Sequence, residues 1–191
     1  MLKDLILRNR SYRRFQQDET VPTEVLHELI DLARCSPCAA NLQELKYIVS
    51  NNSEMNERIF SCLAWAGYLQ DWHGPDEGEK PAAYIIILGD TAISKKFTVN
   101  HGIASQSILL GAVEKGLGGC IFGSINRELL REKLSIAPQF EILLVLALGY
   151  PVEEVILEEM AAEGSVKYWR DEQQRHHVPK RRLNDIILKT S

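Results

Sequence analysis

The sequence predicts a single domain that mixes α-helices and β-strands, and three observations support this fold class. Two continuous apolar runs, residues 84–88 and 142–148, are bounded by Pro or Gly and predict strands buried on both faces. Apolar residues recur at helical spacing over residues 23–34, which indicates an amphipathic helix. Residues 102–116 carry small or apolar side chains on most sides and predict a buried helix. A chain of 191 residues can enclose one sizeable core.

The N-terminal part of the chain combines helices with a basic stretch. Residues 2–9 predict a short helix with its apolar residues on one side, and the basic stretch of residues 10–15 follows directly. The helix over residues 23–34 leads into a loop over residues 35–43, because Pro37 does not continue a helix.

The second half of the chain predicts one more strand and one more helix before its character changes. Residues 118–123 predict a short strand, and Asn126 is placed to cap a helix that ends near Leu134. Beyond residue 150 the chain becomes strongly charged and lacks a core pattern. We therefore expect residues 151–191 to form a C-terminal arm that packs onto another surface, such as a second subunit, while residues 1–150 form the core.

The overall charge argues against polyanionic partners. The net charge is -4 and the pI is about 5.8, which offers no electrostatic footprint for nucleic acid or an anionic membrane. No apolar run approaches the roughly 20 residues of a membrane span, and the N-terminus lacks the apolar core of a signal peptide, so we expect a cytoplasmic protein. The four cysteines are too sparse for a disulfide framework and are expected to be free thiols.

Several common catalytic motifs are missing from the sequence. No Gly-x-Gly-x-x-Gly follows a strand, and Ser124 stands where the glycine spacing of residues 118–123 would require a phosphate-binding lysine. No Gly-x-Ser-x-Gly elbow supports a serine hydrolase. His176 and His177 lie in the charged C-terminal stretch and are interpreted as solvated, with metal binding as the alternative.

Cys35 and Cys38 form a Cys-x-x-Cys pair, which leaves a thiol redox function open as an alternative. In thiol–disulfide proteins the reactive thiolate lies at a helix N-terminus, where the helix dipole stabilises it. Here the pair follows the helix over residues 23–34. Tetrahedral zinc would need two further ligands that no nearby spacing supplies. We therefore interpret the pair as two incidental thiols and expect no metal.

Five segments, taken in order along the chain, resemble the FMN-dependent nitroreductase family and extend over nearly all of the sequence. They are Arg10-Ser11-Tyr12-Arg13-Arg14-Phe15, Ser36-Pro37-Cys38-Ala39-Ala40-Asn41-Leu42-Gln43, residues 101–110, residues 116–123, and Pro179-Lys180-Arg181-Arg182-Leu183. In that family such segments are a phosphate-binding opening, a loop at the flavin, the central interface helix, the strand that approaches the flavin N5, and a basic element that returns to the phosphate. The chain departs from the family pattern at Asn9, Cys38, Glu44 and His101.

The resemblance implies an α+β nitroreductase fold, in which helices flank a mostly antiparallel central sheet and a C-terminal arm reaches a partner subunit. It also implies a homodimer with the helix near residues 102–116 at the interface and two FMN sites built from both chains. The implied activity passes two electrons from NAD(P)H, through bound FMN, to a nitroaromatic, a quinone or another electrophilic small molecule by a ping-pong mechanism. A non-catalytic flavin-binding or FMN storage protein would share the phosphate contacts and stays an alternative.

The resemblance also assigns residues to the site. The residues expected to bind FMN are Arg10, Ser11, Arg13, Pro37, Cys38, Ala39, Asn41, Gln43, Phe122, Gly123, Lys180 and Arg182. The main-chain N–H of Phe122 or Gly123 is expected to face the flavin N5, and no acid or base side chain is obligatory because the cofactor supplies the reactivity. Trp65, Tyr68 and Trp72 are expected to shape the substrate pocket, since aromatic walls suit planar acceptors.

Overall fold

A four-stranded sheet forms the centre of the protein in the computed structural model, which describes residues 1–69, 71–161 and 163–189. The strands are β1 (Leu45–Ser50), β2 (Ala83–Asp90), β3 (Gly118–Phe122) and β4 (Phe140–Gly149). Their spatial order is β1-β2-β4-β3, and every neighbouring pair is antiparallel. The predicted antiparallel central sheet is therefore confirmed.

Helices cover both faces of this sheet. They are α1 (Leu2–Arg8), α2 (Thr23–Cys35), α3 (Ser53–Phe60), α4 (Asn100–Glu114), α5 (Arg127–Lys133) and α6 (Leu183–Ile186). Side chains of α2 and α4 pack with Ile85 and Ile87 on one face of β2, and side chains of α3 and α5 pack with Tyr84 and Ile86 on the other. Because successive strand residues point to opposite faces, β2 is buried along its whole length, as its continuous apolar sequence predicts.

Helix α4 lies two residues closer to the N-terminus at each end than the sequence predicted. It packs against α2, and Gly111 permits the close approach, because a Cβ atom there would collide with the Leu32 side chain. Ala104 and Ile108 are buried in this contact. Ile103, by contrast, is 38% exposed, so one side of this apolar helix is left uncovered by its own chain.

Local capping explains two of the shorter helices. Asn126 accepts a hydrogen bond from the N–H of Leu129 at 3.1 Å, which confirms the predicted cap of α5. Asn52 caps α3 in the same way by accepting from the N–H of Met55 at 3.0 Å. Neither α3 nor β1 was predicted from the sequence, and both are short elements with mixed burial.

The stretch after residue 150 differs from the expected arm, because much of it folds back onto its own chain. Strands β5 (Val155–Glu159), β6 (Trp169–Arg170) and β7 (His176–Lys180) form a second sheet in the order β5-β7-β6. The interpretation of His176 and His177 as solvated was wrong, since their exposed fractions are 1% and 7%. Charged and aromatic side chains contact both rings, and no local apolar pattern predicts burial of this kind.

The backbone at Gly119 leaves no room for a side chain, so we predict that Gly119→Ala destabilises the protein. A Cβ atom there would lie 2.8 Å from the carbonyl oxygen of Ala147, within β4, and the sheet cannot yield without losing hydrogen bonds. We expect the free energy of unfolding to fall by about 1–3 kcal/mol, measured by urea denaturation. Gly67→Ala is the matched control, because no atom lies within 4 Å of a Cβ at that position. Equal midpoints for the two variants would contradict this account.

Candidate cofactor site

A cavity of about 310 Å³ lies where the two ends of the chain meet. Its walls come from the segment after α1, from α4, from β3 and from the second sheet. The lining residues are Asn9, Arg10, Ser11, Arg13, Gln106, Leu109, Ile121, Tyr168, His176, Val178 and Lys180. Four residues that the sequence predicted to bind FMN therefore lie around one cavity: Arg10, Ser11, Arg13 and Lys180.

Contacts with β3 and with the core fix the segment that carries the cavity residues Arg10 and Arg13. The N–H of Tyr12 donates to the carbonyl oxygen of Gly119 at 3.0 Å. The Tyr12 ring occupies the space that a Cβ atom on Gly118 would need, so glycine permits this packing. Phe15 is completely buried. Arg13 lies between these two anchors, which holds its backbone in place beside the cavity.

The guanidinium of Arg13 is buried and is held by neutral groups. Its Nη1 donates to the carbonyl oxygen of Ser11 at 3.1 Å and lies 3.2 Å from Nε2 of His176. The guanidinium carbon also lies 4.9 Å from the centre of the Tyr168 ring. Within the described ranges, no carboxylate forms an ion pair with Arg13. Because a buried charge without a counter-charge is unfavourable, this site is electrostatically suited to an anion.

Arg10 and Lys180 add positive charge to the same cavity. Arg10 donates from Nη2 to the carbonyl oxygen of Ile6 at 2.7 Å, while its Nε is buried and has no hydrogen-bond partner in the part of the chain that the structure describes. Burial lowers the pKa of Arg10, which means that its charge is poorly solvated. Lys180 ends β7 and is exposed. Guanidinium and ammonium groups in this arrangement suit a phosphate.

Glu153 holds the Arg13 backbone beside the cavity and was not predicted from the sequence. Its side chain is fully buried and accepts hydrogen bonds from the main-chain N–H of Arg13 and, at 3.1 Å, from Nη2 of Arg170. Arg170 in turn lies 4.3 Å from the centre of the Trp72 ring. In the sequence Glu153 is one of several acidic residues in a charged stretch, so nothing distinguishes it before the fold is known.

His176 is a neutral member of the site at physiological pH. Burial, together with the nearby positive charges of Arg13 and Arg170, lowers its pKa to about 4. Its ring lies 5.1 Å from the ring of Tyr168, which also contacts Arg13. His176 and Tyr168 were not among the predicted site residues, because a histidine or tyrosine in a charged segment carries no signal of its own.

His177 connects all three strands of the second sheet. Its Nδ1 lies 2.5 Å from a carboxylate oxygen of Glu158, its Nε2 lies 3.1 Å from Asp171, and its ring stacks on Trp169 with centres 4.1 Å apart. Burial disfavours the charged imidazole, but the hydrogen bonds to Asp171 and Glu158 outweigh it and raise the pKa of His177. The His177 ring therefore links Glu158 and Asp171 from within β7, the strand that ends at Lys180.

Arg182 lies outside the cavity in this chain. Its Nε forms an exposed ion pair with Glu159 at 3.1 Å, at the start of the short helix α6. The structure thus brings Lys180 to the cavity but leaves its predicted partner Arg182 on the surface.

The predicted flavin loop lines a different and smaller cavity of about 160 Å³, which contains Cys38 and Gln43 but not Pro37, Ala39 or Asn41. Residues 39–41 form a short 3-10 helix, and the backbone has positive φ at Ala40, Asn41 and Gln43.

Buried hydrogen bonds hold the strained loop in place. The N–H of Ala39 donates to Oδ1 of Asn100 at 2.9 Å, and Nδ2 of Asn100 donates to Glu44 at 2.7 Å. Glu44 is 2% exposed. These side-chain hydrogen bonds constrain the loop.

Phe122 at the end of β3, Trp65 and Trp72 lie on the opposite side of the central sheet from α4. Phe122 is buried and makes an edge contact with Trp65 at 4.6 Å between ring centres, whereas Gly123 is exposed. Trp65 is only 9% exposed and belongs to the core. Trp72 is half-buried and packs edge-on against Trp65, and Tyr68 is 50% exposed and lies 4.9 Å from the Tyr168 ring.

The cysteines and histidines form no recognisable metal centre in the described part of the chain. All four cysteines are free thiols; Cys35 is exposed and Cys38 is partly buried. Among residues 1–69, 71–161 and 163–189, no group of three or more His, Cys, Asp or Glu side chains is arranged to hold a metal ion. None of the helices in these ranges has the length and apolarity to cross a membrane.

Comparisons with known proteins agree on one family. The profile described as the nitroreductase family matches residues 6–150. A protein of Methanothermobacter thermautotrophicus, provisionally named NADH dehydrogenase/NAD(P)H nitroreductase, is 33% identical over 157 residues, which cover 78% of this chain and 77% of that protein.

Two solved structures share the fold. A protein of Desulfovibrio desulfuricans, provisionally named a nitroreductase and described in complex with FMN, has a TM-score of 0.71 at 19% identity. The match covers 100% of this chain and 96% of that one. A nitroreductase family protein of Clostridium novyi NT has a TM-score of 0.68 at 21% identity, and the match covers 79% and 85% of the two chains.

The His177 bridge predicts a specific pH dependence of stability. Because the pKa of His177 is raised by folding, its contribution is fully present below the unfolded pKa of about 6.5 and is lost as the pH rises through the higher folded pKa. Wild type should therefore lose stability relative to His177→Gln as the pH rises above about 6.5 and through the raised folded pKa, measured by urea unfolding from acidic to mildly alkaline pH. The exposed residue His27 supplies the control, and His27→Gln should follow wild type. Parallel profiles for wild type and His177→Gln would contradict the bridge.

Proposed function

Because the chain belongs to the nitroreductase family, we propose that it is an FMN-dependent oxidoreductase that passes two electrons from NAD(P)H to an electrophilic small molecule. Nitroaromatics and quinones are the acceptor classes that we expect. The name of the archaeal relative, which mentions NADH and NAD(P)H, and the FMN complex of the Desulfovibrio structure support this proposal. The observation in this chain that carries it is the buried Arg13 guanidinium, which faces a cavity without a carboxylate partner among the described residues.

The residues around the cavity fit the phosphate of FMN. This phosphate is close to a dianion, and a protein with a net charge of -4 can hold it only by concentrating cations locally. Arg10, Arg13 and Lys180 provide that concentration, and the buried Nε of Arg10 has no hydrogen-bond acceptor among the described residues. We propose that these three side chains, with Ser11, bind the phosphate and the adjoining ribityl chain.

Bound FMN would supply the redox chemistry between NAD(P)H and the acceptor, so the protein would need no obligatory acid or base. The task of this chain is to bind and orient the ring. We propose that the main-chain N–H groups at Phe122 and Gly123 face the flavin N5. Gly123 suits a close approach, since it is exposed and no atom lies within 4 Å of the position of a Cβ atom there.

We propose that the active form is a homodimer of one domain spanning residues 1–191. In a single chain the loop residues Pro37, Cys38, Ala39, Asn41 and Gln43 do not line the cavity, and Arg182 lies on the surface. A second chain would supply them to the cofactor site.

Exposed apolar residues support the dimer. Ile103 on α4 is 38% exposed, and Ile121 on β3, which lines the cavity, is 43% exposed. The last described residues carry a further set, Leu183, Ile186, Ile187 and Leu188, whose exposed fractions range from 48% to 98%. Apolar surface of this extent is typical of an interface.

We propose that Tyr68, Trp72 and Trp65 shape the acceptor pocket. Tyr68 is the exposed member, and its main-chain N–H lies 3.4 Å from the hydroxyl of Tyr168 at the edge of the cavity. An exposed ring suits stacking with a planar acceptor, while Trp65 supports it from the core.

The proposed activity is tested by the colour of the purified protein and its response to reduced nicotinamide. We predict a yellow protein whose absorbance near the flavin maximum bleaches on anaerobic addition of NADH or NADPH and recovers on addition of a quinone. A yellow protein that does not bleach would instead identify a flavin-binding or storage protein. A protein that remains colourless after incubation with excess FMN, but forms a disulfide between Cys35 and Cys38, would support the thiol redox alternative.

The phosphate contacts predict a measurable preference for FMN over riboflavin. Riboflavin has the same ring and ribityl chain without the phosphate, so Arg13→Ala should weaken FMN binding by about tenfold to a hundredfold and riboflavin much less, as expected for a lost charge-assisted hydrogen bond of about 1.5–3 kcal/mol. Fluorescence-quench titrations at fixed salt measure both ligands. Arg182→Ala should narrow the preference only if the dimer carries Arg182 to the phosphate. An unchanged preference in Arg13→Ala would refute the assignment of the cavity.

A further inference from the structure

We propose that His176 is a positioning residue for Arg13, whose imidazole orients the guanidinium towards the cavity without cancelling its charge. This inference rests on the proposed function in that the anion is taken to be the FMN phosphate. The residue acts through Arg13 and is not proposed to touch the flavin.

The surroundings of His176 define how its ring is held. The residue begins β7, its main-chain N–H donates to the carbonyl oxygen of Glu154 at 2.8 Å, and it is 1% exposed. The Tyr168 ring packs against it with centres 5.1 Å apart. Both the backbone and the ring plane are therefore constrained, and Nε2 lies 3.2 Å from Nη1 of Arg13.

The contact with Arg13 fixes the protonation of the imidazole. A guanidinium carries donors and no acceptor, so Nε2 must accept and the imidazole proton must lie on Nδ1. Burial and the nearby charges of Arg13 and Arg170 keep the pKa of His176 near 4, which agrees with a neutral ring at physiological pH. Nδ1 is buried and has no hydrogen-bond partner among the described residues. An unsatisfied buried donor is unfavourable. The hydrogen bond that Nε2 accepts from Arg13 must therefore offset the cost of burying the Nδ1–H group.

A comparison of the arginines explains why a neutral acceptor is needed. Arg14 is paired with Glu79, Arg170 with Glu153, and Arg175 with Asp171. In each pair a carboxylate both orients the guanidinium and cancels its charge. Arg13 is oriented by a carbonyl oxygen and an imidazole instead. Its full charge thus remains available to an anion in the cavity.

Three substitutions at position 176 separate positioning from simple packing. His176→Gln places an amide oxygen close to the position of Nε2, so it should keep the ratio of riboflavin to FMN dissociation constants within about threefold of wild type. His176→Asn carries the same group one carbon shorter, near the position of Nδ1, and should lower that ratio by about tenfold. His176→Glu keeps the acceptor but adds a negative charge, and should lower the ratio furthest. His27→Gln on the surface of α2 is the control.

The ranking of these variants decides the inference, with circular dichroism and urea unfolding to confirm that each one is folded. The order Gln, then Asn, then Glu in decreasing FMN preference supports positioning. Equal ratios for His176→Gln and His176→Asn, or a His176→Glu protein that prefers FMN as strongly as wild type, would overturn it. Should His176→Glu not fold, the comparison of Gln with Asn still decides.

A second measurement does not depend on flavin. Nitrogen-15 NMR of the flavin-free protein at neutral pH should show His176 as the neutral tautomer with its proton on Nδ1. In Arg13→Ala the tautomer protonated on Nε2 should become populated as well. A proton on Nε2, or a charged ring, would overturn the inference whatever the flavin titrations give. If wild type binds FMN no better than riboflavin, the phosphate assignment of the proposed function fails, and the NMR result alone decides whether His176 accepts from Arg13.

Discussion

The buried carboxylate of Glu153 is the contact on which the cavity depends, because it joins the two ends of the chain. It accepts from the backbone of Arg13 in the N-terminal segment and from the guanidinium of Arg170 in the second sheet, and Arg170 covers Trp72. A buried carboxylate is stable only while such donors compensate it, and removing one of them is strongly destabilising. The N-terminal segment, the second sheet and Trp72 are therefore held in one arrangement, and residues of the N-terminal segment and the second sheet line the cavity.

Arg170 and Arg13 both bind Glu153, but they differ in whether a carboxylate compensates the charge of the guanidinium. Arg170 has its charge cancelled by Glu153, and it serves as a structural cross-link. The main-chain N–H of Arg13 donates to the same carboxylate, whereas its guanidinium contacts Ser11, His176 and Tyr168. Keeping an uncancelled cation partly buried is unfavourable in isolation. An arrangement of this kind is expected where a ligand supplies the counter-charge, which is why this cavity and not the other pockets carries the functional proposal.

The sequence predicted those elements whose signal is local. The continuous apolar run of β2, the amphipathic α2 and the Asn126 cap of α5 were all predicted close to their observed bounds, because side-chain spacing and capping chemistry act within a few residues. Short elements with mixed burial, β1 and α3, were missed. The second sheet was missed for a different reason, since the side chains that contact His176 and His177 are charged or aromatic and form no apolar pattern.

The sequence by itself determined the family, through five segments in a recognisable order, and with it the general fold and the candidate phosphate ligands at both ends of the chain. Only the tertiary structure decided which of those ligands meet. It placed Lys180 at the cavity with Arg10 and Arg13, left Arg182 paired with Glu159 on the surface, and set a neutral histidine against Arg13. The physical reason is that desolvation and charge compensation depend on partners brought together by long-range contacts, and no local pattern of residues encodes them.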